Sequence, residues 1–244
     1  MKISIITICF NSQDSIKKTI ESIKCQTHSD FEYIIIDGGS SDNTIDIIKQ
    51  YKFVDKFISE PDEGIYEAFN KGINIASGEI IGFLNSDDTF YDENSLKNIV
   101  DSFNKNTDCV FGDLIFTNKK NEVKRFWKGS EFTNGAFQKG WMPAHPTFYC
   151  RKLVYDKYGK FDERFKIAGD FELMLRFLEK NKLNSKYISK TLVNMKMGGK
   201  SSFGLINTCK ILKEEFLAFK KNKISVNKIF YILHKGKKIK EFRF

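Results

Sequence analysis

The stretch Ile80-Ile81-Gly82-Phe83-Leu84-Asn85-Ser86-Asp87-Asp88 decides the fold: an apolar run that reads as a buried strand and stops on two adjacent carboxylates. In an open α/β sheet, ligands gather beyond the carboxyl ends of the strands, so Asp87 and Asp88 fall where a substrate is held. Two neighbouring acids repel each other. They are tolerated when one accepts hydrogen bonds from a ligand and the other holds a hard divalent cation. Mg²⁺ and Mn²⁺ take oxygen ligands and commonly bridge one or two carboxylates to substrate phosphates. The competing reading is a solvated turn, since Asn-Ser-Asp-Asp is also ordinary turn chemistry.

Upstream of this run, Ser77-Gly78 ends a helix in which Ile65, Ala68, Phe69, Gly72, Ile73 and Ala76 recur at three- and four-residue spacing. Before it come a short strand over residues 57–59 and a break at Glu60-Pro61-Asp62. A further strand, Phe31-Glu32-Tyr33-Ile34-Ile35-Ile36, runs into Asp37-Gly38-Gly39-Ser40-Ser41-Asp42, whose glycines permit close backbone approach and whose last Ser or Asp caps a helix over 44–51. The chain opens with a strand over 2–10, a turn at Asn11-Ser12 and an amphipathic helix through Ile16, Ile20 and Ile23 to about Gln26. Strand and helix therefore alternate through the first 88 residues, the pattern of a parallel sheet covered by helices. Neither Gly-x-Gly-x-x-Gly nor Gly-x-x-x-x-Gly-Lys-Ser/Thr occurs, so neither a dehydrogenase-type dinucleotide fold nor a P-loop is indicated. Asp37 either accepts the imino N–H of a base or serves a helix-capping turn.

At 244 residues with 41% hydrophobic side chains, the chain suffices for one substantial α/β domain with an appendage. No stretch is long and apolar enough for a transmembrane helix, and the start is too short and strand-like for a signal peptide, so the expected location is the cytosol. Five dispersed cysteines without a Cys-x-x-Cys pair argue against a disulfide framework or structural zinc. Three histidines without His-x-x-x-His argue against catalytic zinc. The net charge of +9 is concentrated: from Leu205 onward, eleven basic residues face three acids. Such a tail suggests an anionic partner surface.

Downstream of Asp88, a helix over 95–104 and a strand over 109–116 lead through the polar turn Asn118-Lys119-Lys120-Asn121 to residues 123–127, which read as the return strand of a hairpin. Trp141-Met142-Pro143-Ala144-His145-Pro146 follows; His145 is either structural in a Pro-fixed loop or a site position, and the site position is favoured. In Ile167-Ala168-Gly169-Asp170-Phe171, Asp170 precedes apolar Phe171, Met174, Leu175 and Leu178 on one helix face, so its simplest role is an N-cap.

The segments Ile5-Ile6-Thr7-Ile8-Cys9-Phe10-Asn11, Ile34-Ile35-Ile36-Asp37-Gly38-Gly39-Ser40-Ser41-Asp42-Asn43-Thr44, Ser59-Glu60-Pro61-Asp62-Glu63-Gly64-Ile65-Tyr66, Asn70-Lys71-Gly72 and Phe83-Leu84-Asn85-Ser86-Asp87-Asp88, in this order, resemble the bacterial family 2 glycosyltransferases of surface-polysaccharide biosynthesis. The resemblance implies the GT-A fold, α/β with a mostly parallel central sheet flanked by helices. It implies an inverting transferase, moving a hexosyl or N-acetylhexosaminyl group from a nucleotide-diphospho-sugar with the help of Mn²⁺ or Mg²⁺. UDP is the family-weighted donor nucleotide. By this carry-over Asp37 binds the base, Asp87 the ribose and Asp88 the metal. Thr7, Cys9, Asn11, Asp62 and Lys71 complete the nucleotide contacts, and Asn85, Trp141 and His145 belong to the donor- and acceptor-sugar region. Asp170 matches the family's catalytic base, needed because a sugar hydroxyl is a poor nucleophile until its proton is removed. Two positions depart from the family pattern: Gly38 stands where a second acid is common, and Gly169 where Glu or Asp commonly precedes the base.

The expected organisation is a transferase domain over 1–202, with its nucleotide half over 1–88 and its acceptor half over 89–202, followed by a basic amphipathic tail over 203–244. In the tail Leu205, Cys209, Leu212, Phe216 and Phe219, then Val226, Ile229, Phe230 and Leu233, recur at helical spacing among lysines. Such helices lie on an anionic bilayer, which would suit a lipid-linked saccharide acceptor at the inner face of the membrane, or pack on the catalytic domain or a second subunit. Nucleic acid is disfavoured because no nucleic-acid motif accompanies the charge. Rival classes are a nucleotidyltransferase on a related fold and a non-catalytic nucleotide-sugar-binding protein.

Overall fold

A computed structural model describes residues 1–118, 120–197 and 205–237. The β-branched runs of the first part form strands β1 (Ile3–Cys9), β2 (Phe31–Asp37), β3 (Lys56–Ser59) and β4 (Ile80–Phe83), joined through helices α1 (Ile16–Lys24), α2 (Thr44–Ile48) and α3 (Ile65–Ile75). They pair in parallel in the order β3-β2-β1-β4, with Cys9 beside Asp37 and Asp37 beside Ser59. Period-two alternation splits each strand between the faces: Ile3 and Ile5 meet α1, whose Ile16, Ile20 and Ile23 form its buried stripe, while Ile6 faces Phe69 and Ile73 of α3. α2 stops at Ile48, short of the expected 51, because Gln50 and Tyr51 donate to carbonyls only three residues back and tighten the chain into a turn.

The second part adds β5 (Thr89–Phe90), α4 (Ser95–Val100), β6 (Cys109–Thr117), β7 (Val123–Trp127), β8 (Tyr149–Arg151), α5 (Lys152–Tyr158), α6 (Gly169–Met174) and β9 (Ser185–Lys196). Beyond β4 the sheet turns mixed: the full order is β3-β2-β1-β4-β8-β6-β9-β5, with β8 antiparallel to β4 and β6, and β9 parallel to β6. β6 and β7 form the expected antiparallel hairpin, whose turn residue Lys119 lies outside the described residues. α4 ends at Val100 rather than near 104, the following residues closing through turns. α6 is continued by a wider π-helical stretch, Leu175–Lys180.

The tail forms α7 (Leu205–Lys221) and α8 (Lys228–Lys237). Ala218, Phe219 and Tyr231 are fully buried in the same core cluster as Phe83, Phe111 and Phe171. The Phe219 ring meets those of Phe171 and Tyr231 edge-on at 5.5 and 5.4 Å. Lys221 pairs with Asp162 at 2.7 Å and with fully buried Glu172 at 2.8 Å, and Glu172 is also held by Arg176 at 3.0 Å. Burial pushes the Glu172 carboxyl up, but Arg176, Lys221 and Asn222 more than offset it and leave it below the usual range. Helices α7 and α8 therefore pack on the rest of the described chain. One face of α8 does not: Ile229 and Leu233 are 75% and 62% exposed, flanked by exposed Phe230 and Ile232. Phe203, where the tail was expected to start, and Lys238, Lys240, Glu241 and Arg243 near the chain end lie outside the described residues.

Candidate active site

Cys9, Asp37 and Ser59 stand in one row across the carboxyl ends of β1, β2 and β3. Asp37 is fully buried, and its carboxylate accepts from the Cys9 thiol at 3.5 Å, the Ser59 hydroxyl at 2.7 Å, the Ser40 hydroxyl, and the N–H groups of Gly39 and Ser40 at 3.1 and 2.9 Å. These five donors saturate the roughly four lone-pair sites of a carboxylate. Through them Asp37 shapes the loop over 38–40. Thr7 and Cys9 are likewise engaged within the fold. Thr7 Oγ1 donates to the Leu84 carbonyl at 2.8 Å and accepts from Tyr33 at 3.1 Å, while burial and then Asp37 push the Cys9 thiol up, keeping it a protonated donor.

The rim of the row is more open. Asn11, at φ +48°, is exposed; its N–H donates to Ser40 Oγ at 2.8 Å and its Oδ1 accepts from the Ser41 N–H at 2.9 Å, tying the first strand-end loop to the second. Lys71 donates to the Pro61 carbonyl at 3.1 Å and pairs with Glu60 and Glu67 at 3.0 and 3.1 Å. An ammonium has three donors, and with all three engaged Lys71 braces the 60–62 loop against α3. Asp62 is half-buried and accepts from the Gly64 N–H at 3.1 Å. A Cβ built on Gly38 would lie 2.7 Å from Asp62 Oδ2, so this carboxylate occupies the space that a second acid at position 38 would need.

Beyond β4 the chain turns at Asn85-Ser86, and the Asp88 N–H donates back to the Asn85 carbonyl at 3.0 Å. Asp88 is fully buried; Thr19 Oγ1 donates to its carbonyl at 2.7 Å and Asn85 Nδ2 to its Oδ2 at 3.4 Å. The Oδ1 atoms of both Asp88 and Asn85 are buried without a partner. Burial, and then Asp87, pushes the Asp88 carboxyl well above the usual carboxylate range; burial also raises Asp87, with Lys196 opposing. Adjacent orphaned oxygen acceptors at a strand end are the donor set that a hard dication satisfies, so these residues fit Mn²⁺ or Mg²⁺. Among the described residues no group of three or more His, Cys, Asp or Glu could hold a metal.

Asp170 is the second position of α6 rather than its N-cap, which is Ala168. Tyr66 of α3 prepares this helix start: its hydroxyl donates to the Ile167 carbonyl at 2.7 Å and accepts from the N–H groups of Gly169 and Asp170 at 2.7 and 3.4 Å. A Cβ at Gly169 would meet the Tyr66 ring at 2.7 Å, which explains why glycine precedes Asp170 here. Tyr66 stacks on Phe161 at 5.5 Å, Phe161 on Phe69 at 5.1 Å, and Phe69 meets Phe83 at 4.5 Å. This aromatic chain joins the strand that leads to Asp88 to the loop that carries Asp170. His145 belongs to it, stacked on Phe83 at 5.8 Å, with Nε2 buried and unpartnered. Burial pulls the His145 imidazole below its ordinary value, with Asp170 opposing. Trp141 donates from Nε1 to Ser130 Oγ at 3.0 Å and packs edge-on against Phe137 at 5.5 Å, which in turn meets Phe171 beside Asp170.

A family model described as glycosyl transferase family 2 matches residues 4–168, which include the strand ends, Asp87 and Asp88. The chain belongs to glycosyl transferase family 2. This glycosyltransferase is 27% identical over 221 residues to the PGL/p-HBAD biosynthesis glycosyltransferase of Mycobacterium bovis, covering 88% of this chain and 82% of that one. It is 30% identical over 193 residues to an uncharacterized glycosyltransferase of Mycobacterium tuberculosis, covering 71% and 68%. Among solved structures, S. aureus TarS 1–349 in complex with UDP-GlcNAc matches with a TM-score of 0.71 at 18% identity, over 98% of this chain and 72% of that one. The mannosyltransferase PcManGT from Pyrobaculum calidifontis, in complex with GDP-Man and Mn²⁺, matches with a TM-score of 0.66 at 12% identity, over 97% and 69%. The mixed sheet flanked by helices is the GT-A fold.

Within this glycosyltransferase, sequence reasoning missed two groups. Tyr66 was visible only as part of a motif, because its partners lie about a hundred residues away. Lys196, the last residue of β9, lies close enough to Asp87 to oppose the rise of its carboxyl, a proximity set by the pairing of β9 with β5.

Proposed function

We propose that the chain is an inverting glycosyltransferase that moves a hexosyl or N-acetylhexosaminyl group from a nucleotide-diphospho-sugar, UDP-linked, to a hydroxyl of a saccharide or lipid-linked saccharide in bacterial polysaccharide assembly. The observation that carries this reading is the pair of orphaned acceptors on Asp88 and Asn85 at the end of β4, joined through the Phe83–Phe69–Phe161–Tyr66 aromatic chain to Asp170. The UDP-GlcNAc held by TarS and the GDP-Man and Mn²⁺ held by PcManGT support the donor class and the cation.

Asp37, giving up one of its loop donors, is the carboxylate proposed to accept the imino N–H of the base, and Asp62, in the space beside Gly38, is a further nucleotide contact. Asp87 takes the ribose hydroxyls. Asp88 and Asn85 hold the cation, which when bound supplies Lewis-acid stabilisation of charge growing on the diphosphate. Asp170 accepts the proton of the acceptor hydroxyl as its oxygen bonds to the anomeric carbon from the face opposite the nucleotide. The bond from that carbon to the diphosphate breaks, and its electron pair leaves on the phosphate oxygen. A single displacement inverts the anomeric centre. Trp141 and His145 form walls of the sugar region.

The outward apolar face of α8, with Ile229, Phe230, Ile232 and Leu233 on a helix of a strongly basic tail, is proposed to rest on an anionic membrane surface, where a lipid-linked acceptor is found. The catalytic reading is tested by titrating UDP- and GDP-sugars with Mn²⁺ or Mg²⁺ and with chelator. Metal-dependent binding of one donor, lost in Asp88→Ala, is the expected result; no donor binding in the presence of metal contradicts the reading.

A further inference from the structure

The segment leading into Asp170 presents five consecutive backbone N–H groups that α6 cannot satisfy, because the first turn of a helix has no partners upstream. Two side chains hold all five. Gly169 and Asp170 donate to the Tyr66 hydroxyl, as above. Lys166, Ile167 and Ala168 donate to the carboxylate of Glu214, at 3.0, 2.9 and 2.8 Å. Glu214 comes from the middle of α7, in the tail, more than forty residues downstream. Its neighbour Glu215 points the other way, accepting from Tyr231 at 2.9 Å and pairing with Lys235 of α8. Phe219, one turn further along α7, packs on Phe171, the residue after Asp170. α7 thus touches the base-carrying segment at two points and α8 at a third.

We infer that Glu214 is a positioning residue for the transfer reaction: its carboxylate fixes the 166–168 backbone, and through it the Asp170 side chain, so the basic tail completes the active site. An ionised acceptor on three N–H groups is a strong, directional clamp, and displacing a reacting group by about 1 Å costs about a hundred-fold in rate. Glu214 touches neither donor nor cation in this arrangement, so its loss should leave donor binding intact. The inference rests on Asp170 being the base, and the test separates the two. In the full-length chain, Glu214→Ala and Glu214→Gln are compared with wild type by amide hydrogen exchange, by UDP-sugar binding with Mn²⁺, and by slow hydrolysis of the bound donor.

In Glu214→Ala, exchange at residues 166–168 is expected to rise about ten-fold or more while β1 and β4 stay protected. kcat should fall about ten-fold or more with donor affinity unchanged. Glu214→Gln, which keeps one acceptor oxygen, should recover part of both effects, and it carries the test if the alanine variant fails to fold. Unchanged exchange at 166–168, or unchanged hydrolysis despite faster exchange, would overturn the inference. Wild-type hydrolysis by Asp170→Asn would instead remove the base assignment while leaving the exchange result standing.

Discussion

Asp37 and Asp88 are both acids at strand ends, yet the structure gives them opposite characters. Asp37 has five internal donors; Asp88 has Asn85 on its Oδ2, a backbone contact from Lys196 and an Oδ1 without a partner. A sequence shows that a carboxylate follows a strand but not how many donors converge on it. Ser59 and Cys9 reach Asp37 from neighbouring strands, and Glu60 reaches Lys71 from the loop beyond β3, while Glu67 is its i−4 neighbour on α3. The internal partners of Thr7, Cys9 and Asp37 were illegible for that reason, whereas the turn at Asn85 to Asp88, being local, was legible. His145 gives a pH prediction. Burial lowers its imidazole below the unfolded value of about 6.5, so between that value and the lower folded one the unfolded chain binds more protons than the native state. Its contribution to stability is full above about pH 6.5 and is lost as pH falls. Urea midpoints measured from about pH 7.5 down to about pH 5.5 should drop more steeply for wild type than for His145→Phe; parallel curves would show that His145 is not the group responsible.

Among the elements, the strands and helices of the first 88 residues were legible because each carries its own period: alternating isoleucines in β1 and β2, a three- and four-residue stripe in α1 and α3. The three-residue β8 has no such signature; what makes it a strand is its pairing with β4 on one side and β6 on the other, far apart in sequence. The tail showed its helical periodicity in sequence but not which apolar residues turn inward. Phe219 and Tyr231 do, and Ile229 and Leu233 do not. Removing the tail to test membrane contact would thus also remove core residues and Glu214. Point changes on the outer face of α8 are cleaner. Burying a Leu or Ile side chain contributes about 1.5–3 kcal/mol, so Ile229→Asp with Leu233→Asp should weaken binding to phosphatidylglycerol-containing vesicles by about ten-fold or more. Donor hydrolysis in solution should not change. Undiminished flotation with the vesicles would sink the membrane reading, and a shift from dimer to monomer in the variant would point to a second copy of the chain as the occupant.

At the scale of the molecule, the parallel half of the sheet presents Asp62, Asp87 and Asp88 from its strand ends and the loops beyond them, while the mixed half brings the Asp170 segment alongside through α3, the aromatic chain and α7. The strand end carrying Asp87 and Asp88 was readable from motifs; its joining to the Asp170 segment was not, because Tyr66 and Glu214 meet that segment only in the fold. The account stands or falls on that joining, since binding and chemistry are assigned to separate halves. The most direct measurement compares wild type with Asp170→Asn for UDP-sugar affinity in the presence of Mn²⁺ and for hydrolysis of the bound donor, with water standing in for the acceptor hydroxyl. Loss of a general base should slow turnover by about 10²–10⁴-fold, with donor affinity within about two-fold of wild type because the nucleotide and cation contacts lie elsewhere. Turnover of Asp170→Asn at the wild-type rate, or loss of donor binding together with activity, would contradict the division of labour argued from the structure.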